Sequence, residues 1–145
     1  MNILTPILAE ASANNAAIGA FAALGVVLIL MILAVALLVV IGMWKVFTKA
    51  GQPGWAAIIP FYNLVVLFQT GGQSGWLALT WLLNFIPLIG GLAFLGILIW
   101  NHIEVSKRFG KGVGFALGLV FLPPIFWLIL GFDSSKYVSE QPAQA

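Results

Sequence analysis

Long apolar runs separated by short breaks dominate the pattern of residues along the chain. The first run, Ala16–Trp44, contains no charged residue and exceeds the roughly 20 residues that a helix needs to cross a bilayer. Three more runs follow. The pattern predicts an all-α, polytopic membrane helix bundle over residues 16–131, with four transmembrane spans at about 16–44, 55–70, 76–104 and 112–131.

The segments on either side of the predicted bundle are more polar. Residues 1–15 contain one charged residue, Glu10, and predict a short extracytoplasmic segment. Residues 132–145 contain Asp133, Lys136 and Glu140, and predict a solvated tail.

Proline and glycine interrupt three of the four apolar runs. Pro60 falls in the second run, which is short for a span, so a re-entrant segment is the alternative. The third run contains Pro87 and Gly90-Gly91. It predicts one long kinked helix as the simpler reading, with a tight helical hairpin as the other. Pro123-Pro124 lie in the second half of the fourth run.

Two basic clusters set the predicted orientation. Lys45 and Lys49 follow the first run beside Trp44, and a second cluster follows the third run, formed by Lys107, Arg108 and Lys111. Because Lys and Arg in short loops favour the cytoplasm, both clusters are predicted as cytoplasmic interface anchors. An even number of crossings then separates them. Four spans satisfy this and place both termini outside. A pair of re-entrant elements between the clusters also gives an even number of crossings, so it is the alternative.

Composition and charge exclude several classes of protein. The chain is 62% hydrophobic and 7% charged, far from the composition of a soluble domain. A net charge of +2 cannot form the basic stripe that nucleic-acid binding needs. The absence of Cys excludes disulfides, thiolate metal sites and Cys nucleophiles. We therefore expect the lipid bilayer as a partner, and no nucleic acid and no cofactor.

A short motif occurs twice, and each copy follows a long run. Lys45-x-Phe47-x-Lys49 recurs as Lys107-x-Phe109-x-Lys111. If the two copies mark a duplicated hairpin, the halves are related by an axis along the membrane normal, as in some transporter folds. Under that hypothesis Phe47 and Phe109 turn into the membrane interface, and the two hairpins superpose.

The region after the first run resembles a family of small, uncharacterised bacterial integral membrane proteins. The resemblance rests on Trp44-Lys45-x-Phe47-x-Lys49-Ala50-Gly51-x-Pro53-Gly54-Trp55, followed by Ile58-Ile59-Pro60-x-Tyr62-Asn63 and later by Phe109-Gly110-Lys111 and Leu130-Gly131-Phe132 with Tyr137. Some members resemble the membrane region fused ahead of signal peptidase I. The resemblance implies a four-helix fold in a bacterial inner membrane, and it implies no activity.

Few residues are candidates for chemistry. No serine stands in the Ser-x-Met context that signal peptidase activity needs, so we expect no enzyme. His102, the only histidine, is predicted to cap the interface beside Glu104. A small polar cavity is the functional alternative to a structural kink at the second run, and its candidate residues are Pro60, Tyr62, Asn63 and Asn84.

Small residues mark two helix faces. Gly114 and Gly118 share one face of the fourth run, and Gly19 and Ala23 share one face of the first. Such faces let helix backbones approach closely, within the chain or between chains. We therefore expect a non-catalytic inner-membrane accessory, scaffold or assembly subunit that packs against a membrane-protein partner or itself. The alternative is a small transporter or channel that works as a homo-oligomer.

Overall fold

Every regular element of the described residues, 2–138, is helical in the computed structural model. The five α-helices are α1 (Leu4–Lys49), α2 (Pro60–Thr70), α3 (Ile89–Arg108), α4 (Val113–Phe121) and α5 (Pro123–Phe132). Two 3₁₀ helices cover Gly54–Ala57 and Gly75–Phe85. The predicted all-α class is therefore confirmed. The chain forms two compact units, residues 1–36 and residues 37–145.

The first unit is the N-terminal part of α1. Helix α1 begins at Leu4, so the polar segment predicted over residues 1–15 is helical from that residue onward. Apolar side chains are exposed on all sides of this part, and Phe21, at 74% exposure, is an example. A helix that is apolar all round belongs in lipid or against other helices, because water would contact its whole surface otherwise.

Helix lengths limit how many elements cross a membrane. Two helices of the described chain, α1 and α3, are long and apolar enough to span. Helices α2, α4 and α5 have 11, 9 and 10 residues, about half of what a span needs. The structure thus contains two helices of full spanning length, and the remaining apolar runs form shorter elements.

The third apolar run is broken and does not form one long kinked helix. Its first part is the 3₁₀ helix Gly75–Phe85, and α3 begins only at Ile89. Proline disfavours helical geometry in the residue before it, and Ile86 before Pro87 is extended. Leu88 then adopts a positive φ of 63°. The two parts pack against each other, so the hairpin reading is the one observed.

The fourth apolar run also folds back on itself. Helix α4 ends at Phe121, and α5 begins at Pro123 after Leu122, whose backbone is not helical (φ −128°, ψ 56°). The Phe126 ring covers Gly118, and Lys111 pairs with Asp133. Each of these pairs lies equally far on either side of Leu122, so α4 and α5 form an antiparallel hairpin and not a single span. Pro123 and Pro124 lack the N–H that a continuous helix would use.

The core of the second unit lies where the end of α1 meets the other helices. Its largest fully buried side chains include Phe47, Phe68, Leu119 and Leu130. Asn63 of α2 lies beside Met43 of α1. Since the hairpins alternate in direction, the C-terminal ends of α1, α2, α3 and α5 gather at one end of this unit.

The two copies of the Lys-x-Phe-x-Lys motif occupy different positions at their helix ends. Helix α1 is closed by a turn at Gly51 and α3 by the same kind of turn at Gly110, with φ of 73° and 72°. Lys49 precedes its glycine by two positions, whereas Lys111 follows its glycine. Phe47 and Phe109 are also both buried in the core, so the expectation that they face the interface is wrong. Because the two motif copies stand at different distances from the glycines that end their helices, they give the duplication hypothesis no support.

Candidate functional site

Basic side chains converge where four helices end, beside one acidic group. We call this cluster the basic end; it consists of Lys45, Lys49, Arg108 and Lys111 together with the carboxylate of Asp133. Helix C-termini carry partial negative charge and favour nearby cations. All four basic residues were predicted as interface anchors, and the structure brings the two predicted clusters together. Both basic loops therefore lie at the same end of the unit, as their shared predicted orientation requires.

Asp133 joins the two basic loops. Its carboxylate lies 3.0 Å from Lys49 Nζ and 2.9 Å from Lys111 Nζ. Lys49 Nζ also donates to the backbone carbonyls of Leu130, at 2.6 Å, and Asp133, at 2.9 Å. The backbone N–H and hydroxyl of Ser135 donate to the same carboxylate. One acidic group thus anchors the ends of α1 and α5 and the start of α4.

The environment of Asp133 shifts its pKa. Burial by itself raises the pKa of this carboxyl, but the donors oppose that effect. Hydrogen bonds from Ser135, Lys111 and Lys49 outweigh burial and hold the pKa of Asp133 well below its usual range. The carboxylate is therefore charged in the folded chain at neutral pH.

The segment after α5 packs across the basic end. The Tyr137 hydroxyl donates to the carbonyl of Thr70 at 2.9 Å, and the Val138 N–H donates to the carbonyl of Arg108 at 2.8 Å. The Arg108 guanidinium lies 5.9 Å from the Tyr137 ring and against Gly72. These contacts tie the segment to the ends of both α2 and α3.

This packing corrects one part of the expected topology. Four alternating spans would place residues 132–145 on the membrane face opposite the two basic clusters. The described part of that tail, 133–138, contacts both clusters instead. The reason is the reversal at Leu122, which returns the chain to the end from which α4 starts. The remaining residues of the predicted tail lie outside the described ones.

The other predicted anchors lie nearby with different partners. Lys45 Nζ is 5.5 Å from the Phe132 ring, and Lys107 pairs with Glu104 at 3.0 Å. Trp44 is 41% exposed and packs against Gly54. Their depth in a membrane stays a prediction.

A cleft of about 450 Å³ lies in the same unit. Proline-started helices border it, since both Pro60 of α2 and Pro123 of α5 line it. Its walls are mostly apolar and aromatic, and the polar side chains that line it are Asn63 and His102.

His102 is 7% exposed and turns one ring nitrogen to the backbone of its own helix. Nδ1 lies 2.7 Å from the carbonyl oxygen of Leu98. Because a carbonyl only accepts, Nδ1 carries the hydrogen, and in the neutral ring Nε2 is an acceptor. The ring also packs edge-on against Trp127, with ring centroids 5.7 Å apart.

Asn63 lies across the start of α2. Its Nδ2 donates to the carbonyl of Ala57 at 3.0 Å and lies 3.7 Å from the sulfur of Met43. The amide nitrogen is thus engaged with protein groups, which leaves Oδ1 as the acceptor of this side chain.

The structure brings together some of the residues predicted for a polar cavity. Pro60 and Asn63 line the cleft. Tyr62 instead stacks on Trp55, at 5.2 Å between ring centroids. Asn84 donates to the carbonyl of Trp81 and is exposed. His102 also lines this cleft, and no sequence signal predicts it there, because it lies far from Asn63 along the chain.

The predicted small-residue faces differ in what they meet. Gly118 lies under the Phe126 ring, whereas nothing within 4 Å would meet a methyl group at Gly114 or Gly19. Ala23 is exposed. Whether these faces bind another chain stays a prediction.

Two other glycines allow a close backbone approach between α1 and α5. A methyl group at Gly42 would lie 2.6 Å from the backbone carbon of Trp127, and one at Gly131 would lie 2.9 Å from the carbonyl oxygen of Gly42. No small-xxx-small pattern marks either position, so sequence reasoning did not single them out.

Nothing in the described residues resembles a metal centre. No group of three or more His, Cys, Asp or Glu side chains is close enough to hold an ion between residues 2 and 138.

A family of unknown function, DUF5684, matches residues 55–140. The chain belongs to this family. The family region begins at Trp55 and covers α2 to α5, with the cleft residues His102 and Asn63 and the segment that packs on the basic end. No curated protein matches the chain, and no solved structure matches it.

Proposed function

We propose that the protein is a non-catalytic accessory, scaffold or assembly subunit of a bacterial inner membrane. One observation carries this proposal: no residue in the most apolar stretch of α1, a helix of 46 residues, is buried in the described chain. Its side chains are available to lipid and to a partner helix. The resemblance to the membrane region ahead of signal peptidase I fits an accessory role.

The proposed topology follows from the basic end. Lys and Arg near a membrane favour the cytoplasmic face, so the basic end faces the cytoplasm, and α1 crosses the bilayer once with its start outside. The hairpins of residues 50–132 enter from the cytoplasmic side and return to it. Residues 133–138 are then cytoplasmic.

A matched set of variants tests the accessory role. Gly19 and Ala23 share one face of α1, while Gly25 lies on another face and has equally open surroundings. Mild-detergent extraction of the unmodified chain is expected to yield a complex heavier than its 15.5 kDa monomer. Replacing Gly19 and Ala23 together by Leu should dissociate it, because leucine prevents close helix approach.

The control is Gly25→Leu, which should leave the complex intact. A chain that extracts as a monomer, or a complex that survives the double replacement and dissociates with the control, contradicts docking through this face. Mass spectrometry of the complex then separates a different protein from a second copy.

The cleft favours a second candidate function, a small transporter or channel that works as a homo-oligomer. Broken helices beside a cavity are the arrangement that secondary transporters use at their binding sites. A homo-oligomer that passes ions across liposome membranes would favour this function, and a stoichiometric complex with a different protein would favour the first.

A further inference from the structure

We propose that the cleft between α2, α3 and α5 binds a membrane-dissolved phenol or alcohol, with an apolar body and a hydroxyl group that donates to His102 Nε2. Neither the family match nor the proposed accessory role assigns a ligand to this chain. The proposal rests on the geometry of the two polar side chains and on the nature of the walls around them.

The two polar side chains present acceptors. His102 Nδ1 is committed to the carbonyl of Leu98, and Asn63 Nδ2 is committed to the carbonyl of Ala57. Neither His102 Nε2 nor Asn63 Oδ1 has a hydrogen-bond partner among residues 2–138. Both side chains line the cleft, so an acceptor there can take a hydrogen bond from the hydroxyl of a ligand.

The walls select an uncharged, ring-bearing body. Trp81, Phe94 and Trp127 line the cleft together with aliphatic side chains, and no Asp, Glu, Lys or Arg lines it. A charged ligand would lose its hydration there without an opposite charge to replace it. Aromatic side chains favour offset or edge-on packing with another ring, which favours a phenol among the hydroxyl-bearing molecules.

The size and position of the cleft fit this ligand class. Its volume of about 450 Å³ falls in the range of small-molecule sites. Trp81, on its wall, is 42% exposed, so the cleft opens at the surface of the unit. A ligand dissolved in the bilayer therefore reaches it without crossing the core.

The sole histidine makes the test direct. His102 is the only histidine of the chain, so ¹⁵N-histidine labelling gives one imidazole, whose Nε2 resonance reports a donated hydrogen bond. The labelled full chain in lipid nanodiscs is titrated with 2-naphthol, and separately with 2-methoxynaphthalene, which has the same ring system and no hydroxyl donor.

We expect 2-naphthol to shift the Nε2 resonance saturably, and 2-methoxynaphthalene to leave it unchanged. Equal shifts from both probes would mean that only an apolar body is recognised, and the proposal fails. A shift that rises without saturation would mean partition into lipid, and no shift from 2-naphthol would mean that water or protein satisfies Nε2. Both of these results also overturn the proposal.

A variant pair locates the site. His102→Phe should weaken 2-naphthol binding, followed by the fluorescence of the naphthol, by about three- to tenfold, the value of one hydrogen bond. Asn84→Leu should not change it, because Asn84 is exposed, does not line the cleft and bonds only the backbone carbonyl of Trp81. Equal losses in both variants would place the probe elsewhere. Since the probe comparison uses the unmodified chain, the proposal stays testable if His102→Phe fails to fold.

Discussion

At the scale of single residues, Asp133 pairs with two lysines from different parts of the chain. It joins Lys49 of α1 to Lys111 before α4, and it accepts from Ser135 as well. Isolated surface ion pairs contribute little to stability. Here, however, both lysines are less than one-third exposed and share one carboxylate, so the three groups act as a small network.

Replacing Asp133 by Asn is expected to lower the free energy of unfolding by about 1–2 kcal/mol, because hydrogen bonds to a charged group are lost. Thermal unfolding in detergent, followed by tryptophan fluorescence, measures this. Glu10→Gln, on the exposed N-terminal part of α1, is the control and should change nothing. An unchanged melting temperature for Asp133→Asn would show that the network contributes no stability.

The same carboxylate predicts a dependence on pH. Because its folded pKa is depressed, Asp133 contributes stability above the ordinary Asp pKa of about 4, and this contribution is lost as the pH falls through that value towards the folded pKa. The unmodified chain should therefore lose stability between about pH 5 and pH 3. The Asp133→Asn chain should lose less over the same interval, and parallel curves for the two would contradict the assignment.

At the scale of helices, α1 and α5 approach each other closely through their backbones. Gly42 lies against the backbone of Trp127, and Gly131 lies against Gly42 in turn. The absence of a side chain at both positions lets the two backbones meet. Sequence reasoning chose Gly114 and Gly118 because they share a helix face, but a shared face does not tell which helix lies opposite.

Gly42→Ala is expected to destabilise the chain by about 1–3 kcal/mol, the usual cost of overpacking. The matched control is Gly25→Ala in the same helix, where nothing lies within 4 Å. That change should be neutral or stabilising by up to about 1 kcal/mol, since Ala favours helix over Gly. Thermal unfolding in detergent compares the two variants. Equal effects would mean that the α1–α5 contact is absent in the membrane protein.

The hairpins show where local sequence signals suffice and where they do not. Pro87 and Pro123-Pro124 mark the breaks, and proline chemistry explains why the helices end there. Whether the chain kinks or reverses at such a break depends on neighbouring packing, such as the Phe126 ring on Gly118. The break positions were therefore predictable, and the reversal at Leu122 was not.

At the scale of the whole molecule, the basic end predicts a topology that labelling can test. The chain contains no Cys, so single Cys replacements at Asn2, Gln52 and Ser134 each report one position. In right-side-out vesicles, a membrane-impermeant maleimide should label Asn2→Cys and leave the other two protected until the membrane is opened. Protection of all three would contradict a crossing by α1.

Ser134→Cys distinguishes the two topologies directly. The four-span expectation places this position outside, where the reagent labels it in intact vesicles. The contacts of Asp133 with both basic loops place it at the same end as these loops, and the proposed topology assigns that end, with Gln52, to the cytoplasm. Labelling of Ser134→Cys together with Asn2→Cys in intact vesicles would therefore favour the four-span arrangement. It would contradict the proposal that the hairpins of residues 50–132 enter the membrane from the cytoplasmic side and return to it.

The sequence by itself determined the helical class, the apolar surface of α1 and the positions of the two basic clusters. These properties follow from local composition and from charge counts in short segments, which need no knowledge of distant contacts. The position of both basic clusters at one end was also predictable, because two cytoplasmic clusters require an even number of membrane crossings between them.

Only the tertiary structure decided how the short elements fold back and which polar groups they bring together. The meeting of His102 with Asn63 in one cleft, of Asp133 with Lys49, and of Gly42 with Gly131 joins residues that are far apart in the chain. Each depends on a backbone reversal, at Leu88 with its positive φ or at Leu122. A reversal of this kind is set by the balance of packing on both sides of a break, and no local pattern of residues encodes that balance.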